Sequence, residues 1–257
     1  MSRLHLTFPC EGSRLAGTID TAPGQTGLLI VTGGNEIRSG AFSGQARFAA
    51  TIARAGFPVF RYDRRGVGDS DGENRGFRWA GADLTAALAG FRAISPQIVR
   101  VVGFGNCDAA SALMLAAGGG CDSLILSNPW TIEDGDDTPP PAAIRIRYAE
   151  KLRNPRELMR LIRGQIDIAK LAGGLRKAAA AKAGPTSLAQ EMQAGLARFD
   201  GPVRILLATA DRTAQAFAES WPADDERIRR CEDATHAYAE PKSASWLVDQ
   251  TLLALRS

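Results

Sequence analysis

Histidine is scarce in this chain: His5 and His236 are the only two in 257 residues. Cysteine is scarce too, with four residues, Cys10, Cys107, Cys121 and Cys231. They are scattered and form no C-x-x-C pair, which argues against a zinc site and a dense disulfide framework. We therefore expect no metal and no cofactor. No run of about 18 consecutive apolar residues occurs, so no membrane-spanning helix is expected. The opening stretch MSRLHLTFPCEGSRLAG has no long apolar core and no small-residue cleavage site, so we expect no signal peptide. A reducing, cytoplasmic setting fits this cysteine usage. Neither sign of charge dominates: 31 Lys and Arg stand against 28 Asp and Glu, a net +3, which argues against a nucleic-acid partner.

What is present is ordinary for a globular enzyme-sized domain, with 45% hydrophobic and 23% charged residues. The length suffices to bury a full core. Two β-like segments, Leu4 to Pro9 and Arg14 to Asp20, open the chain. Leu28 to Thr32 (LLIVT) is a compact apolar run closed by Gly33-Gly34, the pattern of a buried parallel strand. Helical spacing over Phe42 to Ala55, a strand at Pro58 to Tyr62, a helix at Phe77 to Ile94, a strand at Ile98 to Val102, a helix at Asp108 to Ala117 and a strand at Ser123 to Ser127 follow. This alternation predicts an α/β fold, a doubly wound and mostly parallel sheet with helices on both faces. The rhythm then stops. DGDDTPPP (134–141) reads as a loop, and 142–199 as helical without a strand. It resumes with strands at Pro202 to Thr209 and Arg227 to Cys231 and a closing helix at Ser243 to Leu255. We expect a core from 1–130 and 201–257, with 131–200 inserted as a helical cap or lid.

The segment IVRVVGFGNCDAASALM (98–114) carries the chemistry. A buried strand runs into Gly105-Asn106-Cys107-Asp108-Ala109, and a helix follows at once. A nucleophile on so tight a turn needs small residues two positions away on either side, which Gly105 and Ala109 supply. Cys107 would sit at a helix N-terminus, where the dipole and free N–H groups stabilise a thiolate. The N–H of Asp108 would be one oxyanion donor. A second is expected from Thr32-Gly33-Gly34-Asn35, at Gly34 or Asn35, where glycine lets the backbone approach a substrate. His236, between the last strand and the last helix, is the expected base, and Asp211, just after the strand at 202–209, the acid that orients it. Asp233 is the weaker candidate for that acid, and reads otherwise as a turn residue. The literal G-x-S-x-G match, Gly68-Asp69-Ser70-Asp71-Gly72, is rejected as the nucleophile's turn, because a loop follows it and not a helix. The glycines of 61–70 lack both a G-x-G-x-x-G opening a helix and a phosphate-loop lysine, so no nucleotide site is expected there. Asp63 and an arginine are expected to brace that loop. Cys10, Cys121 and Cys231 read as small buried hydrophobes.

Asp63-Arg64-Arg65-Gly66-Val67-Gly68-Asp69-Ser70 resembles the D-x-R-G-x-G-x-S loop of the α/β-hydrolase superfamily. The T-G-G-N loop, the G-N-C-D-A turn, Asp211 and the A-T-H of His236 fall in the order that superfamily uses. More narrowly, the set resembles exosortase A system-associated hydrolases of type 1, bacterial proteins linked to protein sorting and exopolysaccharide. That resemblance implies an elbow with cysteine in place of serine. Ala109 departs from the pattern, since glycine is commoner there.

A thiolate attacks and leaves readily, so activated esters, thioesters and lactones are better substrates to expect than amides. The expected reaction is ester or thioester hydrolysis through a thioester acyl-enzyme. Acyl transfer in an exopolysaccharide or protein-sorting pathway would use the same residues, and a catalytically silent binding module on the same fold is the third reading. Between 141 and 187 stand eleven Lys or Arg against three acids. The excess reads either as a solvated helix face or as an attractor for a small acyl substrate that is anionic or carrier-bound, or for an acidic membrane surface.

Overall fold

The computed structural model describes residues 1–132 and 186–257. In chain order, its strands are β1 (Arg3–Cys10), β2 (Ser13–Asp20), β3 (Thr26–Val31), β4 (Val59–Tyr62), β5 (Arg100–Asn106), β6 (Ser123–Ser127), β7 (Val203–Ala208) and β8 (Ile228–Cys231). The α-helices among the described residues are α1 (Gly44–Arg54), α2 (Gly81–Ile94), α3 (Asp108–Leu115), α4 (Ser187–Leu196), α5 (Arg212–Ser220) and α6 (Pro241–Arg256).

Apolar side chains alternate between two cores along each central strand. In β3, Leu28 and Ile30 face one core while Leu29 and Val31 face the other. β5 divides Val101 from Val102 and Phe104, and β7 divides Ile205 and Leu207 from Leu206 and Ala208. A strand buried on both faces needs helices on both sides. On one side Ala49, Ile52 and Ala53 of α1 join Leu247, Ala254 and Leu255 of α6. On the other, Leu84, Leu88 and Phe91 of α2 pack with Leu113 and Met114 of α3, Leu188, Met192 and Leu196 of α4, and Phe217 of α5. Stacking of Phe60 on Phe91, with ring centroids 5.4 Å apart, ties β4 to α2.

The eight strands form one sheet in the order β1-β2-β4-β3-β5-β6-β7-β8. β1 and β2 pair antiparallel, as do β2 and β4, and every pairing from β4 through β3 to β8 is parallel. The expected doubly wound sheet is present. Its order reverses between β3 and β5, and in open α/β sheets the crevice beyond the strand ends at such a reversal is where ligands bind. The Gly33-Gly34 loop leaves β3 there and Cys107 leaves β5.

Several boundaries differ from those expected. β5 continues to Asn106, because Gly103 and Gly105 lie inside the strand and do not end it. Phe42, expected within the first helix, precedes it at φ 49° with its ring almost fully exposed. Helix α5 was not anticipated. Its buried positions, Thr213, Ala214, Phe217 and Ser220, fall on one helical face, but Phe217 is the single large apolar residue among them. Of the expected cap over 131–200, residues 133–185 lie outside the described residues. The part that is described, α4, is N-capped by Thr186 and packs in the core layer against α3. No helix among the described residues is long and apolar enough to cross a membrane.

Candidate active site

Cys107 has φ 62° and ψ −130°, a conformation that side chains rarely adopt and that costs on the order of 1–3 kcal/mol unless the surroundings enforce it. The surroundings do. Its N–H donates to the Ser127 carbonyl at 2.9 Å, and its own carbonyl accepts from Ala110 N–H at 3.1 Å as α3 begins. A Cβ at Gly105 would lie 2.6 Å from the backbone of Ala109 and Ala110, so only glycine fits there. Ala109 is fully buried. The half-buried thiol therefore projects at the head of α3, and the N–H of Asp108, in the first turn, has no intrahelical partner by position.

His236 lies on the loop between β8 and α6. Its Nδ1 is 2.9 Å from Oδ2 of Asp211. Asp211 is buried at the end of β7, and its carboxylate also accepts the Ala214 N–H at 3.1 Å as the N-cap of α5. One carboxylate thus starts the helix and holds the imidazole, which fixes its rotamer twice over. The hydrogen bond to Asp211, then hydrogen bonding with Cys107, raises the His236 pKa to about 10 against the opposing effect of burial. The structure brings Cys107, His236 and Asp211 together. Asp233 is not part of this arrangement. It turns the chain at φ 59° and donates its N–H to Thr209 Oγ1 at 2.9 Å. His5 pairs with Thr18 Oγ1 at the opposite edge of the sheet.

The oxyanion loop holds a feature that sequence reading missed. The Gly34 N–H donates to both carboxylate oxygens of Asp108, at 2.7 and 2.8 Å. Gly34 is therefore not a free donor in this structure. Gly33 makes room for the contact, since a Cβ there would lie 2.4 Å from Asp108 Oδ1. The buried Arg64 flanks the carboxylate, 3.5 Å from its Oδ2, and donates to the Gly34 carbonyl. Asn35 accepts from the Asn74 side chain at 2.8 Å, and its N–H has no hydrogen-bond partner among the described residues.

Two asparagines also escaped notice. Asn106 Nδ2 lies 3.3 Å from His236 Nε2, and its Oδ1 accepts from Asn128 Nδ2 at 3.0 Å. Asn128 is fully buried just after β6 at φ 42°, and its Oδ1 accepts the Ala208 N–H at 2.8 Å. The available signal was an Asn at the carboxyl end of each of two adjacent strands, the edge where the site lies.

Ser70 sits in a structural tie. Its Oγ donates to the Asp63 carbonyl at 2.7 Å and accepts the Ala16 N–H at 2.9 Å. The arginine that braces Asp63 is Arg38, which pairs with its buried carboxylate and also reaches Asp69. Cys10, Cys121 and Cys231 are buried, and burial pushes the first two thiols up to about 11 and about 12. Among the described residues no group of three or more His, Cys, Asp or Glu is placed to hold a metal ion.

A helix starting directly at a strained residue at the switch point, in the order β5, β7, β8 for Cys107, Asp211 and His236, defines a class. Residues 28–249 match the model of the alpha/beta hydrolase family, and the chain belongs to that family. Among solved structures, it is similar to the esterase Pf2001 of Pyrococcus furiosus, with 13% identity over 99% of this chain and 90% of that one and a TM-score of 0.65. It is also similar to an alpha-beta serine hydrolase homologue from Coxiella burnetii, with 15% identity over 99% and 98% and a TM-score of 0.60. A third is the thioesterase domain from the curacin biosynthetic pathway, with 11% identity over 98% and 100% and a TM-score of 0.56. At such identities the likeness is one of fold. No curated protein sequence matches the chain.

Proposed function

We propose that this protein hydrolyses ester or thioester bonds with Cys107 as nucleophile, His236 as general base and acid, and Asp211 as the group that orients His236. The observation that supports this most is Cys107 held at φ 62° at the head of α3, with an imidazole beside it that is fixed on its far nitrogen by Asp211 at 2.9 Å. In the forward step the thiol proton passes to His236 Nε2 and the sulfur attacks the acyl carbon. The oxyanion forms against the N–H of Asp108 and that of Asn35 or Gly34, the latter after its release from the Asp108 carboxylate. Collapse breaks the bond to the leaving group, which takes the proton from Nε2, and leaves a thioester on Cys107. Water, deprotonated by His236, attacks this thioester and the acid departs as the proton returns to sulfur.

The T-G-G-N loop, the G-N-C-D-A elbow, Asp211 and the A-T-H of His236 together are what resembles the exosortase A system-associated hydrolases, a resemblance that supports the cysteine nucleophile and carries over no substrate. The basic stretch 141–187 supports an anionic or carrier-bound acyl group, with a lid role for the insertion. Activity that falls steeply as salt rises would agree with that; activity indifferent to salt would remove it.

The test is thiol-directed labelling located by mass spectrometry, alongside p-nitrophenyl acetate hydrolysis by wild type, Cys107→Ala and Cys107→Ser. Cys107 should label faster than the three buried cysteines, and its loss should abolish turnover. An inert Cys107, with full turnover in Cys107→Ala, overturns the proposal.

A further inference from the structure

The polarity of one backbone group propagates through two side chains to His236. The Ala208 N–H can only donate, and it meets Asn128 Oδ1 at 2.8 Å. The buried Asn128 must then present Nδ2 to its other neighbour, Oδ1 of Asn106, at 3.0 Å. That in turn leaves Asn106 with its Nδ2 toward His236, 3.3 Å from Nε2 and 3.4 Å from the carbonyl oxygen. Asn128 Nδ2 reaches the same carbonyl at 3.4 Å, so the histidine backbone is held by the same pair. Neither amide can flip alone without setting donor against donor or acceptor against acceptor.

At the other side of the ring, Nδ1 faces a carboxylate oxygen of Asp211 at 2.9 Å and so carries a proton. A neutral imidazole satisfies both contacts: Nδ1–H donates and the Nε2 lone pair accepts from Asn106. An imidazolium does not, because it turns a second N–H toward the N–H of Asn106. Among the described residues the titratable groups acting on His236 are Asp211, from the end of β7, and Cys107, from the elbow after β5; both favour its charged form. Burial opposes them, and the Asn106 N–H turned toward Nε2 is a hydrogen-bond contact that opposes them as well.

We propose that Asn106 is a positioning residue that opposes protonation of His236 at Nε2, and so weakens the pairing of a charged imidazole with the Cys107 sulfur that Asp211 and Cys107 favour. This rests on the assignment of Cys107 and His236 as nucleophile and base.

The experiment follows two midpoints in the full-length protein: the pH dependence of Cys107 alkylation by iodoacetamide, and the titration of His236 by NMR, where only one other histidine has to be distinguished. In Asn106→Ala the alkylation midpoint should fall by about one pH unit, which is about tenfold faster alkylation below the wild-type midpoint, and the His236 midpoint should rise. Asn128→Asp, which leaves the elbow's own residues unchanged, should raise the His236 midpoint as well. Its carboxylate still accepts from Ala208 but cannot donate to Asn106, so the Asn106 amide turns and offers Oδ1 to an Nε2–H. Midpoints that stay at the wild-type values in a folded Asn106→Ala protein overturn the proposal, and that variant decides the matter if Asn128→Asp does not fold. Failure of the underlying assignment looks different: wild-type Cys107 would alkylate no faster than Cys10 or Cys121, and Cys107→Ala would retain turnover.

Discussion

The Gly34 N–H points into the carboxylate of Asp108, 2.7 and 2.8 Å from its two oxygens. Asp108 follows the proposed nucleophile directly, so the residue whose backbone N–H is one expected oxyanion donor uses its side chain to occupy the other. Replacing Asp108 with Ala frees the Gly34 N–H. We expect p-nitrophenyl acetate turnover to rise, with an upper bound set by the roughly 10²–10³-fold that one oxyanion donor contributes. Steady-state kinetics on Asp108→Ala and Asp108→Asn provide the check. A fall in kcat with the fold intact would show that the carboxylate supports the loop and does not occlude it.

Ser70 bonds Asp63 on one side and Ala16 on the other, which ties the loop after β4 to β2. Ser70→Ala leaves the Ala16 N–H without its partner, a loss of about 1–3 kcal/mol for a buried donor. Urea denaturation should register that loss while esterase turnover stays at the wild-type level. Abolished turnover in a stable Ser70→Ala protein would return the literal G-x-S-x-G segment to consideration as the nucleophile's turn.

The pH dependence of stability carries the signature of the Asp211–His236 contact. An unfolded histidine titrates at about 6.5, and in the folded protein His236 is raised to about 10, chiefly by Asp211. A raised histidine contributes stability that is complete below about pH 6.5 and is lost as the pH rises through about 10. Wild type should therefore lose thermal stability between pH 7 and 10 more steeply than Asp211→Asn, in which Asn still caps α5. The comparison removes the buried Cys10 and Cys121, raised to about 11 and about 12 and titrating alike in both proteins. Parallel melting curves for the two proteins across that window would contradict the contact.

Gly105 is irreplaceable on steric grounds, because the atoms its Cβ would meet at 2.6 Å are backbone atoms of Ala109 and Ala110 and cannot swing aside. Gly105→Ala should destabilise by about 1–3 kcal/mol, as overpacking does, and should lower turnover by displacing the elbow. Ala109→Gly, which restores the residue commoner at that position in the superfamily, should cost no more than about 1 kcal/mol in helix propensity and should preserve turnover. Chemical denaturation and kinetics on the pair separate the two cases.

The fold was legible because its information is local. Apolar runs such as LLIVT and SLILS, punctuated by glycine and separated by helical spacing, specify a two-faced parallel sheet whatever surrounds them. The elbow was legible for the same reason: the strand, the small residues at 105 and 109 and the helix after 107 are contiguous. The order of Cys107, Asp211 and His236 and the scarcity of histidine singled out the other two positions. Helix α5 was missed because its buried face is mostly Ala, Thr and Ser, and its start is set by the carboxylate of Asp211, which the sequence reading had assigned to His236 alone.

By itself, then, the sequence determined a mostly parallel sheet flanked by helices, and which cysteine lies between a strand and a helix. Tertiary structure alone decided the direction in which polar groups point. That the Gly34 N–H meets Asp108 and not open solvent, and that Asn106 offers a donor to Nε2, depend on groups brought together across 74 and 130 positions of chain. Hydrogen bonds are directional and short, so a neighbour's identity matters only once the fold has set its distance and angle. Hydrophobic burial has no such requirement, which is why the core could be read from the pattern while the hydrogen-bond partners around Cys107 and His236 could not.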